Sequence, residues 1–431
     1  MSLAAKLPYD HPYAGGFSGI GSQPLPTDAD ALDYLSRMAT ADGTSVEVGV
    51  ATAVDAFYRD AKELGVFSSI RASCLLAGAR TLAGALVPLK NEGPELWDAP
   101  TPTITNAFGS NGTWDANTQT ATSSTTTISN TFPRFKFPVG IVAGKDYRIT
   151  ATLVVTDADA LTYYRLGGDG VVAPPSAVNG VITIDETRTA STGAAVFELD
   201  FDSTIGPSSV TIESLSIREV IAAPTNVADG FVEGDFSRTA GLTGDGTSYI
   251  DSGRANDDDP QNDNHNAVYL VAKESGPDGY EIGAGASTGR NMINASVSNV
   301  FTRCRDATEI NTGLSSVGSG VIGTSRSDSS GYAVRALGSD YAATAPSDGV
   351  ASENVFVFAG NNGGSPIAIS SSRLAFYSIG TSLSLADLDT AVTNLINRLK
   401  FAILVGENPS GLDPDTIDYI VRGYEAGGSL E

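Results

Sequence analysis

Apolar residues recur with two different periods along this chain, and the change of period divides it. From residue 27 to 65 the spacing is helical. Ala31, Leu32, Leu35 and Met38 follow Asp28 at the intervals of one helix face. A second run holds Val46, Val50, Ala53, Val54, Phe57, Ala61 and Leu64, and Gly65 ends it. Thr44 and Glu47 stand at capping-box spacing, so this second helix is expected to begin near Thr44. Together the two helices are expected to form a small anchoring subdomain or stalk. Residues 66–93 are almost continuously apolar with many small side chains. A buried strand followed by a short helix or turn fits this run, whereas Arg71 and Arg80 interrupt it too often for a membrane helix.

Beyond residue 95 the period becomes two. In KDYRITATLVVT (145–156), Tyr147, Ile149, Ala151, Leu153 and Val155 share one face. The runs at 181–185, 195–202 and 209–220 alternate in the same way between turns rich in Thr, Ser, Asn and Gly. This pattern predicts a β-sandwich over 95–221. A second β region follows over 224–405, with strands at 267–273, 354–360 and 373–380 and many glycine turns. It closes with an amphipathic helix from about Ser384, on which Leu385, Leu388, Val392, Leu395, Ile396 and Leu399 lie on one side. A last helix is expected in 406–431, with Asp413 as N-cap and Pro414 in its first turn. Residues 1–26, rich in Gly, Pro and Ser, read as an extended arm with no core of its own. The fold class expected is therefore mainly β, with short helices toward both ends.

Composition narrows the function more than the fold. The 431 residues carry a formal net charge of −24, and only 18% are charged. Phosphate backbones and anionic membrane surfaces would be repelled, so nucleic-acid and membrane partners are not expected. No signal-peptide pattern opens the sequence, and synthesis in a host cytoplasm is expected. The two cysteines, Cys74 and Cys304, are expected to be buried reduced thiols or one long-range disulfide.

Several segments carry a resemblance. Gly244-Asp245-Gly246-Thr247, Tyr249-Ile250-Asp251, Asp259-Pro260-Gln261-Asn262 and the strand from His265 to Tyr269 follow one another in 234–272. This stretch resembles the concanavalin-like (lectin-type) jelly-roll domains of phage structural proteins. Residues 373–396 are similar to the final strand and closing helix of that group. Residues 53–89 resemble the helix and first strand that precede its jelly roll. The resemblance implies one jelly-roll sandwich built from 66–94 plus 222–405. Residues 95–221 would be a second sandwich inserted in one of its loops. That insertion, which opens with Trp97, Phe108 and Trp114, looks like the carbohydrate-binding-module type.

Candidate chemistry is sparse. The chain has two histidines, His11 and His265, so a Ser/His/Asp triad has little to draw on. His11 falls in the arm, and His265 is expected to be solvent-facing or hydrogen-bonded in a structural role. Glu198, Asp200 and Asp202 alternate along one strand and are the nearest approach to a glycosidase pair. They are read as a solvated strand face, and no catalytic residue is expected. The acidic loop 256–264 contains Asp257, Asp258, Asp259, Asn262 and Asp263, oxygen donors of the kind calcium takes. Calcium is thus the one cofactor the sequence suggests, with a solvated turn as the alternative. Trp97, Trp114, Tyr163 and Tyr164 are the candidate sugar platform, against the alternative that the tryptophans fill the core.

These readings lead to a non-catalytic component of a phage particle at the virion surface, such as a head fibre, spike or tail part. Its expected partners are other capsid or tail proteins and further copies of itself, with a trimer implied by the resemblance. Its expected ligand is a host-surface polysaccharide, bound weakly through many copies. A capsid decoration or cement protein is the alternative, and a glycan depolymerase the least supported.

Overall fold

The computed structural model describes residues 26–407 apart from 98–99, 106–111, 124–133, 157–160, 168–172, 179, 192–195, 202–207, 221–223, 229, 274–277, 286–287 and 297. The expected arm, His11 and Phe108 lie outside the described residues, as does the last helix with Asp413 and Pro414. The chain is mainly β and divides into two compact units. One comprises Met1–Asn91 with Ala222–Glu431, and the other comprises Glu92–Ile221.

In the first unit, the Arg373–Gly380 strand lies between Ile70–Leu75 and Asn264–Ala272, antiparallel to both. Gly320–Arg326, Tyr332–Ala336 and Ser339–Ala343 extend the sheet beyond Asn264–Ala272. A second sheet runs through Thr225–Ala228, Ser248–Ala255, Asn354–Val357, Tyr280–Ala284, Asn291–Ala295, Val300–Cys304 and Ile310–Asn311. The two sheets pack face to face, with Asn264–Ala272 against Tyr280–Ala284 and Val300–Cys304 against Gly320–Arg326. Every residue of Arg373–Gly380 after Arg373 is buried. The Arg373–Gly380 strand therefore reads as a nearly unbroken apolar run, as a strand covered on both sides must.

The outer cover is helical. Helix α1 (Ala29–Asp42) begins where the Asp28 carboxylate accepts from the Asp30 and Ala31 amides, and it ends at Gly43 in the left-handed region. Helix α2 spans Val48–Glu63, a short α3 spans Leu82–Ala85, and α4 spans Leu385–Glu407. Val50, Val54, Phe57 and Ala61 of α2 join Leu388, Val392, Leu395 and Leu399 of α4 over Tyr269, Ala375 and Phe376 of the sheet. Phe57 meets Phe376 edge-on at 6.1 Å. Gly49 allows α2 to approach α4, since a Cβ there would lie 2.9 Å from that of Ala402.

Two local expectations need correction. The second helix begins at Val48, not near Thr44. Glu47 makes no capping bond, because its carboxylate is held by Arg80 at 2.6 Å and Arg238 at 2.9 Å. The N-terminal helices are also not a stalk of their own. Their apolar stripes are buried on the sheet and on α4, which leaves no separate helical core.

The second unit is a sandwich whose two sheets share one aromatic-rich core. Asp146–Val155 pairs with Val181–Thr189 and with Ser208–Val220, and Thr120–Ser123 and Gly112–Asp115 continue that sheet. Opposite it, Arg134–Pro138 and Leu161–Leu166 flank Val196–Phe201, with Thr103–Thr105 at the edge. Tyr147, Ile149, Ala151, Leu153 and Val155 all point inward, as their alternation implies. Glu92 pairs with Val220 and Glu95 with Arg218, so the unit's two ends lie side by side.

Gly241 turns the chain onto the Arg373–Gly380 strand with φ +87°, and a Cβ there would stand 2.2 Å from the Leu374 carbonyl oxygen. Both the left-handed backbone and the backbone clash oppose a side chain. Gly241→Ala is expected to lower stability by at least about 2 kcal/mol in urea unfolding, whereas Gly43→Ala, with nothing near its Cβ, should lose about 1 kcal/mol.

Candidate functional site

The four aromatic residues expected to form a sugar platform do not share one face. Trp97 and Trp114 both pack edge-on against Phe137, at 5.1 and 5.0 Å. Tyr164 is buried and lies 6.4 Å from Phe197. These three therefore border the core of the second unit. Tyr163, the next residue along the Leu161–Leu166 strand, points the other way and is exposed.

On that opposite face Tyr163 meets residues that the sequence pattern did not group with it. Register places Asp200 between Arg134 and Tyr163, and Glu198 between Lys136 and Arg165. One rung is therefore cation, carboxylate, aromatic, and the next is cation, carboxylate, cation. The Arg165 Nη2 donates to Asp200 at 2.7 Å. Arg134 stands 3.4 Å from Asp200, Lys136 3.4 Å from Glu198, and Arg165 Nε 3.8 Å from Glu198. Glu198 and Asp200 are only 5% and 2% exposed, so this is not the solvated face expected. The cationic side chains lie over the carboxylates and remain partly exposed. Both acids lie against cations on this face.

The acidic loop of the first unit directs its oxygens inward. Asp259 takes a bidentate pair from the buried Arg254, at 3.1 and 2.8 Å. Asp258 accepts from the Ala255 amide, and burial raises its carboxyl above the ordinary range. The Asn262 carbonyl accepts from Ser347 at 2.6 Å. Asp263 accepts from the Ser382 amide and hydroxyl at 2.8 and 2.6 Å. Asp257 is exposed. The five donors thus serve different neighbours, and no group of three acidic, histidine or cysteine side chains is placed to hold a metal among the described residues.

His265 is fully buried rather than solvent-facing. Its Nδ1 lies 2.6 Å from the Thr381 carbonyl, which can only accept, so Nδ1 carries the proton. Nε2 then accepts from the Ser378 hydroxyl at 2.7 Å. Burial holds the imidazole down at about 4, so it is neutral at pH 7. Glu281 is likewise enclosed, accepting from Ser370 and Ser372 beside Lys273, with burial raising its carboxyl. Cys74 and Cys304 are free and buried. Burial raises both thiols, that of Cys304 to about 11, which makes them poor nucleophiles.

No family model matches the chain, and no curated protein matches it. Among solved structures, it is similar to domains LG4-5 of the mouse laminin alpha1 chain. That match has 11% identity and a TM-score of 0.24, and covers 57% of this chain and 85% of that one. It is also similar to the CBM22-1–CBM22-2 tandem of Paenibacillus barcinonensis Xyn10C. There the identity is 10% and the TM-score 0.22, with 68% and 98% of the two chains covered.

Two outcomes follow from the buried groups. The unfolded chain protonates His265 near 6.5 and the folded chain near 4, so acid favours unfolding. The neutral imidazole's contribution is complete above pH 6.5 and declines between 6.5 and 4, by about 3 kcal/mol in all. Urea unfolding from pH 7 to 4 should show a steeper loss for the native chain than for His265→Gln. Asp259→Ala, which removes the bidentate carboxylate from the buried Arg254 and leaves Asp258 at 3.7 Å, should cost about 3 kcal/mol in the same assay.

Proposed function

We propose that this protein is a non-catalytic component of a phage particle, exposed on the virion surface, and that its inserted sandwich is displayed to bind host-surface glycan. One observation carries the reading. The three segments that resemble phage jelly-roll proteins, 53–89, 234–272 and 373–396, contribute Ile70–Leu75, Asn264–Ala272 and Arg373–Gly380, which are neighbouring strands of one sheet. Segments so far apart in the chain have no local reason to meet. Their meeting supports a single domain of that type, interrupted by a second sandwich.

The polar interior supports a binding rather than a catalytic role. His265 has both nitrogens engaged by protein, and the buried Asp259 and Glu281 are held by arginine, serine and lysine. Display of a small sandwich in many copies suits weak glycan adhesion, because avidity multiplies modest affinities. The copies would come from self-association, with a trimer as the expected form.

Immunogold labelling of purified particles, with antibody raised against the second unit, tests the assignment. Gold on intact particles, and loss of cell attachment after periodate oxidation of the host surface, are expected. Gold on the head with attachment unaffected by periodate would replace adhesion with a decoration or cement role. Absence of both gold and the protein's peptides from particles would sink the virion reading. Release of reducing sugar by the purified chain would replace binding with depolymerisation.

A further inference from the structure

Among the described residues, the outer face of the four-stranded sheet in the second unit sets three cations over two buried carboxylates. Arg134, Lys136 and Arg165 surround Glu198 and Asp200, which leaves one positive charge in excess among these five. This excess stands in a chain whose net charge is −24. The carboxylates are nearly sealed, at 5% and 2% exposure, while the side chains of Arg134, Lys136 and Arg165 are 41%, 32% and 21% exposed. What meets solvent is thus the cationic layer, fixed from beneath by carboxylates.

That layer is incompletely used. The closest pair is Arg165 to Asp200 at 2.7 Å, and the other contacts are 3.4 Å or longer. Among the described residues, the Arg165 Nε, the Glu198 Oε2 and the Asp200 Oδ1 are buried with no hydrogen-bond partner. A guanidinium carries five N–H donors and an ammonium three, so these partners leave most donors unassigned. Beside them Tyr163 presents its ring on the same face, one strand from Asp200. Neighbouring strands lie about 4.8 Å apart, so Tyr163 and Arg134 are separated by about 10 Å, the length of a disaccharide.

We infer that this face binds an acidic saccharide: one sugar ring rests on Tyr163, and the anionic group of a neighbouring sugar is held by Arg134 and Lys136, with Arg165 between. The inference rests on reading the second unit as glycan-binding, and it names the chemical class of the glycan. A planar carboxylate matches the two-pronged donor geometry of arginine, and a sulfate would use the same donors. A neutral saccharide would leave the excess positive charge unanswered. Glu198 and Asp200 are positioning residues here, since they fix the cations from below.

The test is calorimetric titration of the full chain with trigalacturonate, sialyllactose and a sulfated trisaccharide. Each is paired with its methyl-esterified or unsulfated counterpart. At least one acidic probe is expected to bind at least about tenfold more tightly than its neutral partner. Arg134→Gln combined with Lys136→Gln should weaken that binding at least about tenfold. Because this double variant uncovers buried carboxylates, the exposed Tyr163→Ala serves as the second variant and should also weaken binding, with an unchanged melting temperature. A carboxylated probe binding alone assigns the anion to a sugar acid, and the sulfated probe binding alone assigns it to a sulfate ester. No acidic probe binding at millimolar concentration overturns the inference. So does equal binding of the neutral partners, or affinity unchanged in Tyr163→Ala. Periodate-sensitive attachment of particles without acidic-sugar binding would overturn this site while leaving glycan adhesion standing. Acidic-sugar binding by a protein absent from particles would do the reverse.

Discussion

The first unit depends on one long-range pairing, in which Ile70–Leu75 aligns along Arg373–Gly380 in antiparallel register from Ile70 opposite Gly380 to Leu75 opposite Phe376. Everything else in that unit is placed relative to this pair. Asn264–Ala272 takes the other edge of Arg373–Gly380, and helices α2 and α4 then cover the face that carries Phe376. The register itself is protected at Gly380, where a Cβ would lie 2.0 Å from the Ser69 carbonyl oxygen. Joining segments so distant costs chain entropy, yet that cost grows only slowly with loop length. It grows less still here, because Glu92 pairs with Val220 at the ends of the inserted unit. A whole sandwich can therefore sit in the loop without weakening the pairing that closes the other.

The same unit buries three arginines, Arg254, Arg305 and Arg326, almost completely. A buried guanidinium is costly unless its donors are met, and the three are met to different degrees. Arg326 donates to the carbonyls of Cys304, Asp328 and Ala345 and lies over the ring of Tyr332. Arg254 takes both oxygens of Asp259. Arg305 donates to the Asp259 carbonyl, its Nε and Nη1 have no hydrogen-bond partner among the described residues, and burial lowers its guanidinium to about 10. Such groups add little net stability compared with apolar packing, but they oppose any register that leaves them unpaired. In a sandwich of many short strands, that opposition to slippage is what apolar alternation alone would not supply.

What could be read from sequence follows the range of the interaction. The alternation of Asp146–Val155 and the stripe of α4 are local patterns, and both elements stand where the pattern puts them. The start of α2 was misplaced because Glu47 is claimed by Arg80 and Arg238, partners that no local motif reveals. The acidic loop has the composition of a cation site, and Arg254, five residues before Asp259, pairs with two of its carboxylates. That arginine was the signal available, and acid spacing alone does not register it. The aromatic platform was misjudged for a simpler reason. Tyr163 and Tyr164 are adjacent in a strand, so they cannot share a face.

The charged face of the second unit was the least legible feature, and its origin explains why. Its residues come from three strands, Arg134–Pro138, Leu161–Leu166 and Val196–Phe201, and each strand alone shows only ordinary alternation. The pattern exists in the register, where Glu198 falls between Lys136 and Arg165 and Asp200 between Arg134 and Tyr163. The two units thus use the same ingredients in opposite ways. The first turns arginines inward onto carbonyls and a loop of aspartates, and so fixes its own strands. The second covers two carboxylates with a layer of cations that remain partly exposed. Charge held in fixed geometry at a surface, beyond what its own partners balance, is available to a ligand of the opposite sign.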